Sequence, residues 1–257
     1  MKELLLALPA GRETRGRSCG LTPAHMAYRV GPGPKLLGIR LPQGLRGGLM
    51  QVDCAGFDGS GDPVGCCRQI LGECRRRSFR GIVCDFEGEP RGCMGRLVEI
   101  LDRNCAAQSW SLYVPECYAA HAPRARVLIP SALTHGTLER RLREGIVRYG
   151  QARAALAVEW VREDFPLPAR GRGEPITQEK LEGQMKRLEP AVFFDKGLCA
   201  HYYTYMNGPQ AHFVLFDTPR SVREKLETAK RLGMAAALLP GPEIEDHLEE
   251  IFGPDGG

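Results

Sequence analysis

Asp85 and Glu87 close the apolar run Gly81-Ile82-Val83-Cys84, with Phe86 between them. On an extended strand, residues two apart point to the same face, so both carboxyls would project together. Like charges held that close raise one of the two pKa values, leaving one carboxyl protonated while the other stays ionised. A general acid beside a supporting anion needs that division of roles. A structural pair bonded to loop amides is the other reading these residues leave open. Further acids end other apolar runs: Asp53 after Met50-Gln51-Val52, Glu116 after Tyr113-Val114-Pro115, and Glu159 after Leu156-Ala157-Val158. Burying an unpaired charge is costly, so each position calls for a partner, a metal or a catalytic task.

Other chemistries fit less well. His121, His135, His201 and His212 are dispersed without ligand spacing, and the ten cysteines include no Cys-x-x-Cys pair. Neither a metal site nor another cofactor is expected on that pattern. A metal-assisted hydrolase built on Asp53, Asp85, Glu87 and Glu116 is the distant alternative. The stretch Gly56-Phe57-Asp58-Gly59-Ser60-Gly61 has neither the Lys-Ser/Thr of a P-loop nor dinucleotide-binding spacing, and reads as a flexible loop.

These residues need a scaffold. Apolar runs alternate with amphipathic stretches, the pattern of a parallel sheet covered by helices. Strands are expected at 3–8, 35–40, 48–54, 81–86, 111–115, 126–129, 154–160 and 234–239. Helices are expected at 63–78, 94–107, 137–149, 177–188, 221–232 and 243–252, the last before a Gly-Pro-Asp-Gly-Gly tail. Thr137 and Thr177 suit helix starts, and Gly233 suits a helix end. The expectation is an α/β fold, a (β/α)8 TIM barrel spanning 1–257 as a single domain, with a doubly wound open sheet as the alternative. The first three strands look irregular, and the second and third could form a hairpin. An aromatic-rich insertion, 191–217, precedes the last strand. In such a barrel the acids at strand ends converge on one mouth.

Composition limits the partners. The chain is 43% hydrophobic and 26% charged, with a net charge of +4. That balance argues against nucleic acid or an anionic membrane as a partner. Arg75, Arg76 and Arg77, with Arg80, read as a solvated helix terminus that complements the macrodipole. No run is long enough to span a bilayer. The apolar start at 4–9 is too short for a signal peptide, so a cytoplasmic location with reduced thiols is expected.

The stretch Arg80-Gly81-Ile82-Val83-Cys84-Asp85-Phe86-Glu87 resembles the fourth-strand signature of the chitinase-like glycoside hydrolases of family 18, Asp-Gly-Ile/Phe-Asp-x-Asp-Trp/Phe-Glu. A second stretch, from Phe216-Asp217 through Ser221 and Lys225 to Gly233, is similar to the Asp-x-x-Ser-x-x-x-Lys segment that leads into the last helix and strand of those barrels. The two matches cover most of the chain from the fourth strand onward. The resemblance implies a retaining, substrate-assisted hydrolysis of glycans that contain N-acetylglucosamine. Glu87 would protonate the glycosidic oxygen, and Asp85 would orient and stabilise the oxazolinium formed by the substrate's own N-acetyl group. Asp53, Glu116, Tyr118, Glu159, Trp160, Tyr203 and Tyr205 would contact the carbohydrate, the aromatics by stacking on sugar faces.

The chain departs from the pattern at Arg80 and Val83, where the signature has acids. At strand six, Pro130-Ser131-Ala132-Leu133-Thr134-His135 stands in place of a Met-x-Tyr-Asp element, and the closing strand ends in Leu239-Pro240-Gly241. A catalytically weak or inactive barrel that binds a glycan or a protein partner is therefore the second hypothesis.

Overall fold

The computed structural model describes residues 1–9, 12, 19–39, 41–133, 136–169, 171 and 173–253. Arg40, Thr134, His135 and the tail at 254–257 lie outside the described residues.

Eight parallel strands close into a ring. In ring order they are β1 (Glu3–Leu8), β2 (Thr22–Gly31), β4 (Leu49–Asp53), β5 (Gly81–Asp85), β6 (Ser111–Pro115), β7 (Arg126–Pro130), β8 (Ala154–Ala157) and β14 (Ala236–Pro240), which returns to β1. This is the expected (β/α)8 barrel. The ring interior is filled by Leu5, Leu49, Val83 and Leu128 around the large Tyr113, while Ala24, Ala155 and Ala236 on other strands leave room for that ring. Alternate large and small side chains fill a closed barrel, so its centre is packed and no pore remains.

The second expected strand is corrected. Lys35–Gly38 forms β3, which lies outside the ring and pairs antiparallel with β2. The ring strand is β2, which carries Pro23, His25 and Arg29 and has a register shift between Met26 and Tyr28. Pro23, His25 and Arg29 interrupt the apolar run and hide this strand in the sequence. His25 is nevertheless fully buried, its ring bonded to the Gly47 carbonyl at 2.9 Å. The expected hairpin does involve the second run, but its partner is the preceding strand.

The helices follow the capping signals. Asp62 caps α1 (Pro63–Arg77), accepting from the Val64 N–H. Chain reversal into α2 (Met94–Ala107) follows β5, and Thr137 caps α3 (Leu138–Tyr149) by accepting from the Arg140 N–H. Thr177 caps α4 (Gln178–Leu188), and Thr218 with Ser221 forms a capping box on α5 (Pro219–Arg231). The expected final helix is broken into α6 (Gly241–Ile244), one 3₁₀ turn, and α7 (Leu248–Phe252). The arginine run also differs from its reading. Arg76 is exposed, but Arg77 is buried, bonded to Glu73 and to the carbonyls of Pro42 and Leu45, so it pins the loop after β3.

Between β8 and α5 the chain builds a second, antiparallel sheet, larger than the expected insertion. Its order is β10 (Glu174–Pro175), β9 (Arg162–Pro166), β13 (Gln210–Phe216), β12 (Ala200–Asn207) and β11 (Phe193–Asp195). One face packs on α4 through Tyr203, Val214, Phe216 and Leu181. A buried ion pair fastens the sheet to the barrel. Lys225 of α5 donates to Asp217 at 2.5 Å and to the Glu159 carbonyl at 3.0 Å, and Asp217 also accepts from the Val161 N–H. No helix among the described residues is long and apolar enough to cross a membrane.

Candidate functional site

Alternation along β5 decides where Asp85 goes. Val83 faces the barrel interior and Asp85 follows it on the same side. Phe86 turns the other way, where it packs edge-on against Tyr118 at 5.5 Å. Asp85 and Glu87 both open into a cavity of about 600 Å³ at the C-terminal end of the strands. Asp53, Cys54, Phe57, Asp58, Glu89, Arg91, Met94 and Tyr118 line the same cavity.

Two loops shape it. The glycine-rich segment after β4 is held rather than free: the Cys93 N–H donates to the Gly59 carbonyl at 2.7 Å. Gly59 has a φ of +84°, and a Cβ on Gly92 would stand 2.1 Å from the Gly59 oxygen. Only glycine permits that backbone at that approach. The loop expected to be flexible is thus a wall of the cavity, and Asp58 at its tip accepts from both the N–H and the hydroxyl of Ser60. Those two bonds hold the Asp58 carboxyl below its ordinary range.

Asp85 is exposed toward the cavity yet enclosed by protein on its other sides. That partial desolvation raises its pKa, and the negative charges of Asp53 and Glu87 push in the same direction. Gln51 opposes them, its Nε2 donating to Asp85 Oδ2 at 2.9 Å. Asp53 is itself paired with Arg29 of β2, which donates to it at 2.5 and 3.1 Å. Cys54 sits between the two strand ends, bonded by the Glu87 backbone N–H, and burial pushes its thiol pKa up, so it stays a thiol at neutral pH.

The other residues singled out from the sequence stand elsewhere. Glu116 is paired with Arg141 of α3 and borders a second, shallower depression of about 840 Å³, which meets the cavity at Glu89. Glu159 Oε2 accepts from the Ala132 N–H at 2.7 Å, and its own N–H bonds the Ser131 hydroxyl, so it ties the exits of β7 and β8 together. Trp160 stacks on His247 with centroids 5.5 Å apart. Tyr203 is 0% exposed within the inserted sheet, its hydroxyl donating to Gln184, and burial pushes its pKa up to about 12. Tyr205 lies on that same covered face, donating to Asp164 at 2.7 Å. The four carboxylates of the metal hypothesis therefore do not converge, because Glu116 points into the other depression.

Sequence reasoning passed over Gln51, Asp58, Glu89 and Arg91. Their position just before or after strands ending in Asp53 and Asp85 was a usable signal for the loop residues. Gln51 gave none, since it reads as a polar interruption of a strand.

No family model matches the sequence, and no curated protein does either. Solved structures do match. The spore cortex-lytic enzyme SleL of Bacillus megaterium QM B1551 is 14% identical, with 98% of this chain and 74% of that one covered and a TM-score of 0.66. A chitinase from Chromobacterium violaceum ATCC 12472 is 14% identical over 99% of this chain and 100% of its own, with a TM-score of 0.68. A GH18 chitinase from Cycas revoluta in complex with (GlcNAc)3 is 13% identical over 97% and 98%, with a TM-score of 0.62. The ring of strands and these likenesses show that this chain has a chitinase-like fold, similar to that of the GH18 chitinase, in a divergent form.

Proposed function

We propose that the protein is a glycoside hydrolase acting on N-acetylglucosamine-containing glycans by substrate-assisted, retaining hydrolysis. The observation that carries this reading is the shared opening of Asp85 and Glu87 into one cavity at the strand C-terminal ends. Glu87 is the general acid toward the glycosidic oxygen. Asp85, ionised when the substrate's acetamido oxygen attacks the anomeric carbon, stabilises the positive charge that develops on the nitrogen. In the second half of the reaction Glu87, now a carboxylate, takes a proton from the water that opens the ring.

Wild-type protein should hydrolyse chitooligosaccharides with retention of anomeric configuration, followed by proton NMR of the products. Glu87→Gln should lower kcat by about 10²- to 10⁴-fold, the usual worth of a positioned acid. Wild type and variant equally inert across aryl N-acetylglucosaminides, chitooligosaccharides and peptidoglycan fragments would refute the enzymatic reading.

One observation favours a second reading, a glycan-binding barrel with little or no catalysis. Tyr118 is the one tyrosine among the described residues that line the cavity, and it is 1% exposed, so it offers the acetamido group a poor partner. Oligosaccharide affinity unchanged by Glu87→Gln, without turnover, would support that alternative.

A further inference from the structure

The register of β4 and β5 sets Gln51 directly opposite Val83, and Asp53 opposite Asp85. Gln51 is 6% exposed and does not itself line the cavity. A valine at 83 occupies the barrel interior without any polar atom. Because Val83 is short, the longer Gln51 side chain reaches diagonally past it to the residue two positions on, where Nε2 lies 2.9 Å from Asp85 Oδ2. Such diagonal contacts between adjacent strands are within reach of long side chains. The amide orientation follows from chemistry: turned over, Oε1 would face a carboxylate oxygen, acceptor against acceptor. In the orientation present, Oε1 is buried without a hydrogen-bond partner. The side chain therefore forgoes a bond of its own while donating to Asp85.

We propose that Gln51 is the positioning residue for Asp85, supplying from the neighbouring strand the partner that Val83 cannot. The role rests on the glycosidase reading of the cavity, but the contact can be tested without it. Gln51 fixes the Asp85 carboxyl by a neutral donor that never titrates. Two acids in these positions would share a proton and titrate as a pair. With Gln51 the Asp85 proton answers to burial and to the charges of Asp53 and Glu87, against a donor whose own charge does not change with pH.

The test is the titration of Asp85, followed by carboxyl carbon NMR in wild type, Gln51→Leu and Gln51→Glu. Gln51→Leu should move the Asp85 midpoint to higher pH in a single step, because the donor to the ionised form is gone. Gln51→Glu should give two coupled steps instead. On chitooligosaccharides the acid limb of the kcat profile should move with the Asp85 midpoint. KM should change little while kcat falls by about tenfold or more, since misplacing a reacting group by 1 Å costs up to ~100-fold. If Gln51→Leu does not fold, Gln51→Met keeps the length of the side chain and removes the donor. An Asp85 midpoint unmoved in a folded Gln51→Leu or Gln51→Met protein overturns the proposal. Wild-type protein inert on every glycan would sink the glycosidase reading, and the NMR titration would still decide whether Gln51 holds Asp85.

Discussion

Asp85 stands where burial and two neighbouring negative charges act against a single donor. Its raised pKa means that the folded protein holds the Asp85 proton more tightly than the unfolded chain does. The linkage runs one way. The contribution of Asp85 to stability is complete below the ordinary carboxylate range and is lost as pH rises through its folded pKa. Asp85→Asn removes that loss while its carbonyl can still accept from Gln51. The variant should therefore match wild type in acid and become more stable than wild type as pH rises toward neutrality, which urea unfolding across pH will show. A gain of equal size at every pH would mean that the carboxyl is not the strained group. Asp53 differs because it is held in an ion pair with Arg29, so an acid at a barrel rim need not be a reacting acid.

At the scale of an element, one position of alternation separates a binding platform from a core. On β12 the residues His201, Tyr203 and Tyr205 share the face toward α4, whereas Tyr202 lies on the opposite face, stacked on Phe213 at 5.2 Å and on Phe193 at 5.5 Å. Tyr203 and Tyr205, which the sequence offers as sugar platforms, hold the inserted sheet against its helix. Tyr203→Ala should destabilise the protein by about 3–5 kcal/mol, the range for emptying an aromatic-sized site. Urea unfolding would measure it, and oligosaccharide affinity of the protein that stays folded should be unchanged. A large loss of affinity at unchanged stability would return Tyr203 to the binding site. The same alternation works in the opposite sense on β5, where it turns Asp85 to the side of Val83 and the cavity, which Glu87, just beyond the strand, also lines.

For the whole molecule, ring closure makes two ends with different tasks. At the N-terminal end of the barrel, Arg126 donates to Glu3 at 2.6 Å, and Tyr113 donates to the same carboxylate at 2.7 Å, a closed polar plug beneath the apolar interior. At the other end, the acids of β4 and β5 meet in an open cavity. A ligand that occupies this cavity only in the folded state adds to stability by mass action. A chitooligosaccharide at a hundred times its Kd should raise the unfolding free energy by about 2.7 kcal/mol, visible as a concentration-dependent rise in Tm. No rise at any concentration would take carbohydrate out of the cavity.

The sequence by itself determined most of the barrel's strands and helices and the motif, because these are written locally. Thr137, Thr177 and the Gly-Asp start at 61–62 mark helix starts, apolar runs mark buried strands, and Asp85 and Glu87 stand together at the end of one such run. Only the tertiary structure decided which acids belong together. That choice depends on strand register, on the closure of the ring through β2, whose polar residues hid it, and on partners distant in sequence. Arg29 reaches Asp53, Gln51 reaches Asp85, and Arg141 draws Glu116 away. A charge is tuned by whatever lies within a few ångströms of it, and the neighbours that folding brings there come from distant parts of the chain.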